Sequence, residues 1–374
     1  MKKILYIVST LGNTGPTNQL FNLVKYLSQK KFEPYLITLS SESKDSRWSD
    51  FSDIGVNLYS LSLSRIQGLI FAEKKLKKLI QEIRPDIIHT QGIRADVLSA
   101  KISLNIPKVC TIHNYPQEDY LMTYGKIQGG LMLKKHVDAF KSMDICVGVS
   151  HAVEENIKNN FNVNNTINIP NGVDTDFYSS VTIQEKIKLR LKLGLPQKAK
   201  VWISSGSLSR RKDPLFLIEQ WQKKFFLSNE HFLLIIGGGP LEKECKILAN
   251  KSKNIFVAGQ VSNVSSYLQA SDFYISSSKA EGLPMAVVEA LACGLPCFLS
   301  DIPPHKEIID LNKSIGNLFK LNNSKSFLAN IMFFLDRDYN PMKKASLDLV
   351  KYKLSARTMS EVYQTTYLTL LDKK

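Results

Sequence analysis

The chain has 374 residues, of which 44% are hydrophobic and 22% are charged. These values are typical of a globular protein, and the length suits two domains of about 150–200 residues. No apolar run reaches the ~18 residues that a membrane-spanning helix needs. The formal net charge of +15 indicates an anionic partner.

The first half of the chain alternates short apolar runs with amphipathic segments. We expect strands at residues 4–9, 35–39, 57–61, 87–90, 109–113, 145–150 and 166–169. Helices are expected to begin near Pro16, Glu73, Ala95, Lys126 and Ala152. The apolar start is broken at Gly12, which favours a buried first strand over a signal peptide. We therefore expect a cytoplasmic protein, either free or at the inner face of the cell membrane.

The pattern restarts after a charged helix at residues 186–193. Further strands are expected at residues 201–205, 232–236, 255–258, 273–276 and 297–300. Apolar strands that are each followed by a helix predict parallel sheets covered on both faces. The fold class is therefore α/β with two doubly wound domains. Ligands in such sheets bind beyond the carboxyl ends of the strands.

Residues 281–290 read Glu-Gly-Leu-Pro-Met-Ala-Val-Val-Glu-Ala and carry two carboxylates around a turn. Pro284 suits the first turn of a helix, which places Glu281 just before the helix and Glu289 more than a turn inside it. Backbone N–H groups at a helix start suit a phosphate, and ionised carboxylates accept hydrogen bonds from hydroxyls. This pattern predicts a pocket for a sugar diphosphate.

A basic turn follows the first strand of the second half. Gly206 begins it, and Arg211 and Lys212 end it just before the next helix. Backbone donors and two fixed cations suit a diphosphate, although a single basic turn is often only solvated.

Several segments in the same order resemble the retaining glycosyltransferases of family 4, which have the GT-B fold. The spacing of Glu281 and Glu289 resembles the Glu-x7-Glu signature of that family. The other similar segments are residues 12–16, 111–114, 169–177, 206–212, 236–241 and 257–261. The family usually has Arg after the glycine of the basic turn, where this chain has Ser207.

The resemblance implies a domain organisation and a set of site residues. We expect a Rossmann-like acceptor-binding domain at residues 1–180, a Rossmann-like nucleotide-sugar domain at residues 181–352, and a helix at residues 353–374 that packs back on the first domain. The two domains are expected to face one another across a cleft. The implied catalytic residues are His113, Glu281, Arg211 and Lys212. The implied donor-binding residues are Gly12, Gly15, Gly206, Arg211, Lys212, Gly239, Val261, Glu281, Gly282, Leu283, Pro284, Met285 and Glu289.

The implied activity is transfer of a sugar from a nucleoside diphosphate to an acceptor hydroxyl with retention of configuration. The donor would be a UDP- or GDP-sugar, and the acceptor a glycan or a lipid-linked glycan in the assembly of a bacterial-type surface polysaccharide or glycolipid. No cofactor and no metal are expected, because protein cations and amide dipoles would neutralise the diphosphate.

Two questions stay open at this point. A sugar-nucleotide epimerase shares the two-domain architecture, and a basic nucleic-acid-binding protein would use the charge, although basic residues interleaved with aromatics are not found. The basic amphipathic segment at residues 120–141 fits either a peripheral membrane contact or an ordinary packed helix. His89 is expected to be structural, and residues 73–81 to form a solvated helix face.

Overall fold

The computed structural model describes residues 1–223 and 230–373. The chain forms two compact units, Met1–Gly172 with Ala356–Lys374, and Val173–Ser355. The first unit thus ends at Gly172, earlier than the predicted boundary at residue 180, and the return to it begins at Ala356.

The first unit is built on a parallel sheet with strand order β3-β2-β1-β4-β5-β6-β7. The strands are β1 (Lys2–Val8), β2 (Phe32–Thr38), β3 (Asn57–Ser60), β4 (Ile87–Gln91), β5 (Lys108–Ile112), β6 (Ile145–Gly148) and β7 (Thr166–Asn168). The helices are α1 (Gly15–Lys25), α2 (Trp48–Asp53), α3 (Arg65–Ile83), α4 (Ile93–Lys101), α5 (Pro116–Lys141) and α6 (His151–Phe161), with α15 (Ala356–Asp372) added from the end of the chain. Strands β1, β4 and β5 are almost entirely buried because helices cover both faces, so their sequences are continuous apolar runs.

The C-terminal helix α15 is fixed to the first unit by buried polar contacts. The Tyr367 hydroxyl lies 2.6 Å from His89 Nδ1, and the Tyr363 hydroxyl lies 2.9 Å from Thr111 Oγ1. The other ring nitrogen of His89 lies 2.8 Å from the same threonine oxygen. His89 is therefore a satisfied core residue. The return of the last helix to the first unit agrees with the predicted fold class.

The described residues of the second unit form a parallel sheet with strand order β10-β9-β8-β11-β12-β13. The strands are β8 (Lys200–Ser205), β9 (His231–Ile236), β10 (Ile255–Gly259), β11 (Phe273–Ser276), β12 (Cys297–Ser300) and β13 (Gly316–Phe319). The helices are α7 (Ile183–Lys192), α8 (Pro214–Trp221), α9 (Glu242–Ala249), α10 (Val264–Ala270), α11 (Met285–Ala292), α12 (Pro303–Leu311), α13 (Ser324–Leu335) and α14 (Tyr339–Leu349). Trp202, Phe298 and Phe334 lie at the centre of the core.

One predicted helix start is wrong. Helix α3 begins at Arg65 rather than near Glu73, because Ser64 and Gln67 form a capping box. Helix α5 consists of two helical arms that meet at Gly125, whose φ is +74°. The second arm therefore begins at Lys126, as predicted, while the first arm from Pro116 was not predicted. Strand β13 was not predicted, since the run Gly316–Phe319 has only two large apolar side chains. No helix in the described parts of the chain is long and apolar enough to span a bilayer.

Candidate functional site

The loop after β11 and the start of α11 place the two glutamates. Pro284 is the N-cap of α11 rather than a residue of its first turn, and its carbonyl accepts from the Val287 N–H at 2.9 Å. Glu281 precedes this cap, and Glu289 is the fifth residue of the helix. The structure therefore agrees with the prediction that Glu281 precedes the helix and Glu289 lies inside it. The helix begins one residue later than predicted, at Met285.

Glu281 is buried and pairs with both cations of the basic turn. Its Oε2 lies 2.8 Å from Nη1 of Arg211, and its Oε1 lies 2.5 Å from Nζ of Lys212. The Glu281 side chain is only 6% exposed. Burial by itself raises the pKa of this carboxyl, but the charges of Lys212 and Arg211 outweigh burial and lower the pKa to about 2. Glu281 is therefore ionised at any physiological pH.

Hydrogen bonds hold the basic turn against the loop that follows β11. Arg211 donates to the Ala280 carbonyl at 2.8 Å, and its own carbonyl accepts from the Lys279 N–H at 2.8 Å. Ser277 donates its hydroxyl to the Asp213 carbonyl at 2.7 Å. The two loops lie at the carboxyl ends of the adjacent strands β8 and β11. This is the edge at which parallel sheets bind their ligands.

Glycines allow the backbone segments at this edge to approach closely. Gly237 has φ +129°, and a Cβ there would lie 1.9 Å from the Gly206 carbonyl oxygen. Gly239 has φ +154°, and a Cβ there would lie 2.6 Å from the Leu208 carbonyl oxygen. Both the space and the backbone conformation therefore require glycine. The predicted residue Gly239 has a packing role, since it seats the turn after β9 against the basic turn.

Glu289 has a different environment from Glu281. It accepts a hydrogen bond from the Tyr178 hydroxyl. Burial raises the pKa of Glu289 to about 7, against the smaller lowering effects of the Lys212 charge and this hydrogen bond. Glu289 therefore gains and loses a proton near neutral pH. Tyr178 was not identified from the sequence, although it directly follows the 169–177 segment.

His305 is a second residue that the sequence analysis missed. It lies in the first turn of α12, is fully buried, and donates from Nδ1 to the Ser300 carbonyl at 2.9 Å. Its Nε2 therefore carries the lone pair, and this atom has no hydrogen-bond partner among the described residues. Burial lowers the pKa of His305 to about 4, although the Glu281 charge acts in the opposite direction. A histidine soon after the predicted strand 297–300 was the available signal.

The remaining predicted residues of the second unit lie beyond the carboxyl ends of its strands. Gly282 and Leu283 are buried between Glu281 and the helix, and Met285 is the first residue of α11. Val261 follows β10 and lies just before α10. Gly206 begins the basic turn with φ +135°, and a Cβ there would lie 3.3 Å from Cε of Lys212.

The predicted residues of the first unit lie at the carboxyl ends of its own strands. Gly12 belongs to the loop after β1 and Gly15 is the first residue of α1, where a Cβ would meet no atom within 4 Å. His113 follows β5, and its Nε2 lies 3.2 Å from Oε1 of Gln91. Burial lowers the pKa of His113 to about 4, so the ring is neutral at pH 7. Its predicted contact with the transferred sugar stays a prediction.

Two Asp-x-Asp triplets occur in the chain, and both act as local caps. Asp174 accepts from the Asp176 N–H at 3.0 Å. Asp338 accepts from the Asn340 N–H at 3.0 Å and caps α14. In the described ranges, no group of three or more His, Cys, Asp or Glu side chains is placed to hold a metal ion.

The two Rossmann-like units, each built on a parallel sheet, give the chain the GT-B fold. Two family models match it: "Glycosyl transferases group 1" over residues 185–352 and "Glycosyltransferase Family 4" over residues 14–177. Together they cover most of the chain. The chain belongs to glycosyltransferase family 4.

Curated relatives and solved structures agree with this assignment. An Escherichia coli UDP-Gal:alpha-D-GlcNAc-diphosphoundecaprenol alpha-1,3-galactosyltransferase is 27% identical over 79% of either chain. The E. coli O-antigen biosynthesis glycosyltransferase WclY is 24% identical over 98% of either chain. The structure of Anabaena HepE in complex with UDP superposes with a TM-score of 0.78 at 18% identity, covering 99% of this chain and 100% of that one. The epimerase and nucleic-acid alternatives are not favoured.

Replacing Gly237 by alanine should destabilise the second unit by about 2–5 kcal/mol, because the new methyl group meets the Gly206 carbonyl at a strained φ. The measurement is thermal or urea unfolding of the purified variant. Gly15→Ala is the matched control, since a Cβ there has free space, and it should leave the unfolding midpoint nearly unchanged. Equal midpoints for the two variants would contradict the close approach of the turns.

Proposed function

We propose that this protein transfers a sugar from a nucleoside-diphosphate sugar to an acceptor hydroxyl, with retention of configuration and without a metal ion. The observation that carries the proposal is the buried Glu281 carboxylate between Arg211 and Lys212 at the carboxyl edge of the second sheet. We further propose that Glu281 binds hydroxyls of the transferred sugar. The proposal that the anomeric configuration is retained depends on the resemblance of the Glu281–Glu289 spacing to the family signature.

The two cations supply the charge that a departing diphosphate needs. When the bond between the anomeric carbon and the diphosphate oxygen breaks, the electron pair leaves with the diphosphate. Arg211 and Lys212 carry two positive charges against the single negative charge of Glu281, so the cluster has a surplus of one. The positive end of α11 adds to this surplus at Met285. Charge placed where negative charge develops is usually the largest catalytic contribution.

Glu289 is suited to bind the nucleotide ribose. Vicinal hydroxyls donate to a carboxylate, and the Tyr178 hydroxyl fixes the orientation of this one. HepE, which shares the fold, was solved with UDP and also with UDP-glucose. This supports a nucleotide sugar as the donor; whether it is a UDP-sugar or a GDP-sugar stays a prediction.

The acceptor we propose is a lipid-linked glycan of a surface polysaccharide. The E. coli galactosyltransferase is named for an acceptor that contains diphosphoundecaprenol, and WclY is named for O-antigen biosynthesis. A Bacillus subtilis relative, 30% identical over 62% of this chain, is named as a putative teichuronic acid biosynthesis glycosyltransferase. Nucleotide sugars and such acceptors meet at the inner face of the cell membrane, so we place the protein there as a peripheral enzyme of the cytoplasmic side.

A transfer assay tests this activity. The purified protein is incubated with UDP- and GDP-sugars and a short-chain lipid-diphosphate glycan in the presence of a chelator. We expect one donor to be consumed and the new linkage to keep the anomeric configuration of the donor, as read from proton NMR coupling. Loss of activity on chelation, inversion at the anomeric carbon, or interconversion of the donor without an acceptor would each contradict the proposal.

Lys212→Ala should reduce kcat by about 10²–10³-fold, because one of the two cations facing the diphosphate is lost. The measurement is turnover at saturating donor, with circular dichroism to verify folding. Lys246→Ala is the matched control: this lysine pairs with Glu242 on the exposed side of α9, and its loss should change kcat less than twofold. A folded Lys212→Ala variant with normal turnover would show that the cation has no role in the reaction.

Donor affinity should fall as the pH drops through about 7, because Glu289 binds ribose only when ionised. With a pKa of about 7, affinity should be roughly tenfold weaker at pH 6 than at pH 8. Glu281, His113 and His305 have pKa values of about 2, 4 and 4, so none of them titrates in this range. Calorimetry should use a UDP-sugar, since the terminal phosphate of UDP itself titrates near pH 6.

Glu289→Gln is the control for this pH dependence. Glutamine keeps the size of the side chain and a hydrogen-bond acceptor, but its amide does not titrate between pH 6 and 8. Its affinity for the UDP-sugar should be lower at pH 8 and nearly constant between pH 6 and 8. A pH dependence that persists in Glu289→Gln would assign it to another group.

A further inference from the structure

An outward stripe of helix α3 exposes large apolar side chains. Ile66, Leu69 and Ile70 are 74%, 89% and 67% exposed, and their spacing of three and four residues places them on one side of the helix. An adjacent side of α3 is buried against the sheet through Ala72 and Leu76. Three adjacent aliphatic side chains directed at water are costly, since burying each would be favourable.

The same stripe becomes basic further along the helix. Glu73, Lys74 and Lys77 continue it at the same spacing, and all three are exposed, so the continuation carries one acid and two lysines. Helix α3 carries four lysines in its second half against the two acids Glu73 and Glu82. The stripe thus combines an apolar end with a positively charged end.

Helix α5 presents a second exposed apolar group at its bend. Met122, Ile127 and Leu131 are 68%, 85% and 60% exposed. The bend is rigid, because a Cβ at Gly129 would lie 2.4 Å from the Tyr120 carbonyl oxygen, so the two arms touch through their backbones. Its exposed lysines are Lys126, Lys134, Lys135 and Lys141, while its exposed acids are Glu118, Asp119 and Asp138.

Both groups border helix α4. The guanidinium of Arg94, near the start of α4, lies 3.2 Å from the Cβ position of Gly68 in α3. Asp96, two residues further, lies 2.6 Å from Nε2 of His136, whose Nδ1 lies 2.6 Å from the Tyr120 hydroxyl of α5. Helices α3 and α5 thus both pack against α4, which places the α3 stripe and the α5 bend on neighbouring parts of the first unit.

We propose that the α3 stripe and the α5 bend together form a surface that docks on a membrane of anionic phospholipid. Aliphatic side chains that enter the headgroup boundary, flanked by lysines that attract anionic headgroups, are the features by which helices bind lipid surfaces. Charge complementarity selects this occupant, because a second copy of this basic chain would bring like charges together. The proposal rests on the proposed function in one respect: docking brings the enzyme to a lipid-linked acceptor.

The experiment is sedimentation of the full-length protein with vesicles. One set contains phosphatidylglycerol and phosphatidylcholine, and the other contains phosphatidylcholine alone. We expect binding to the anionic vesicles that weakens as salt is raised. The variant Leu69→Ser/Ile70→Ser should bind at least about tenfold more weakly, and Lys74→Glu/Lys77→Glu should lose about fivefold or more per lysine.

The matched control is Met332→Ser/Phe333→Ser on helix α13 of the second unit. These side chains are 54% and 64% exposed, so the substitution removes similar apolar area outside the proposed surface. Vesicle binding of this control should stay within twofold of the unaltered protein. An equal loss of vesicle binding in Leu69→Ser/Ile70→Ser and in Met332→Ser/Phe333→Ser would contradict the assignment to α3. Failure of the unaltered protein to bind anionic vesicles would contradict it as well.

Two further measurements separate this inference from the proposed function. Calorimetric binding of a UDP-sugar and transfer to a short-chain soluble acceptor should be the same in Leu69→Ser/Ile70→Ser as in the unaltered protein. We expect this variant to lose vesicle binding and to keep donor binding. If the unaltered protein does not bind the donor, the proposed function is wrong, whatever the result with vesicles. Analytical ultracentrifugation tests the remaining alternative. If the unaltered protein is a dimer and Leu69→Ser/Ile70→Ser dissociates it, the surface binds a second copy of the chain and not a membrane.

Discussion

The burial of the Glu281 carboxylate is the constraint on which the organisation of the second unit depends. An ionised carboxylate that leaves water costs several kcal/mol unless cations and hydrogen bonds replace its hydration. Both cations come from the turn after β8, while the carboxylate comes from the loop after β11. The two loops must therefore be held together, which explains the hydrogen bonds of Arg211 and Ser277 to the opposite loop. The glycine-only contact of Gly237 with Gly206 supports the same arrangement from the side of β9.

This arrangement also determines how the cluster can respond to a ligand. Arg211 and Lys212 are held in place by the carboxylate, so their side chains are already ordered before an anion arrives. Preorganised charge reduces the entropy lost when a ligand is bound and the reorganisation needed during a reaction. Arg211 is 43% exposed and Lys212 only 19%, so an anion from solvent meets the arginine first. His305 is buried and therefore neutral, because burial disfavours its charged form, so it adds no positive charge to those of Arg211 and Lys212.

Most of the architecture could be predicted from the sequence because the core strands are continuous apolar runs. Strands β11 and β12 were predicted with their observed bounds, since both are fully buried. Helix α3 was predicted too short, because its first two turns direct Leu69 and Ile70 outward and so lack the usual apolar face. The link of Glu281 to Arg211 and Lys212 spans about seventy residues, and only the order of adjacent strands brings them together. The contributions of Tyr178 and His305 depend on burial and on single hydrogen bonds, which sequence spacing does not encode.

The two glutamates of α11 and its preceding loop show how neighbours decide the chemistry of identical side chains. Burial raises the pKa of both carboxyls. Glu281 precedes the helix and faces two cations at contact distance, so its pKa falls to about 2. Glu289 is two turns further on, has Tyr178 as its hydrogen-bond partner and feels Lys212 more weakly, so its pKa rises to about 7. A permanently charged group is suited to fix cations and orient hydroxyls. A carboxyl with a pKa near 7 makes ligand binding depend on pH. The two carboxyls differ in this way because Glu281 lies before the start of α11 and Glu289 lies eight residues later, inside the helix.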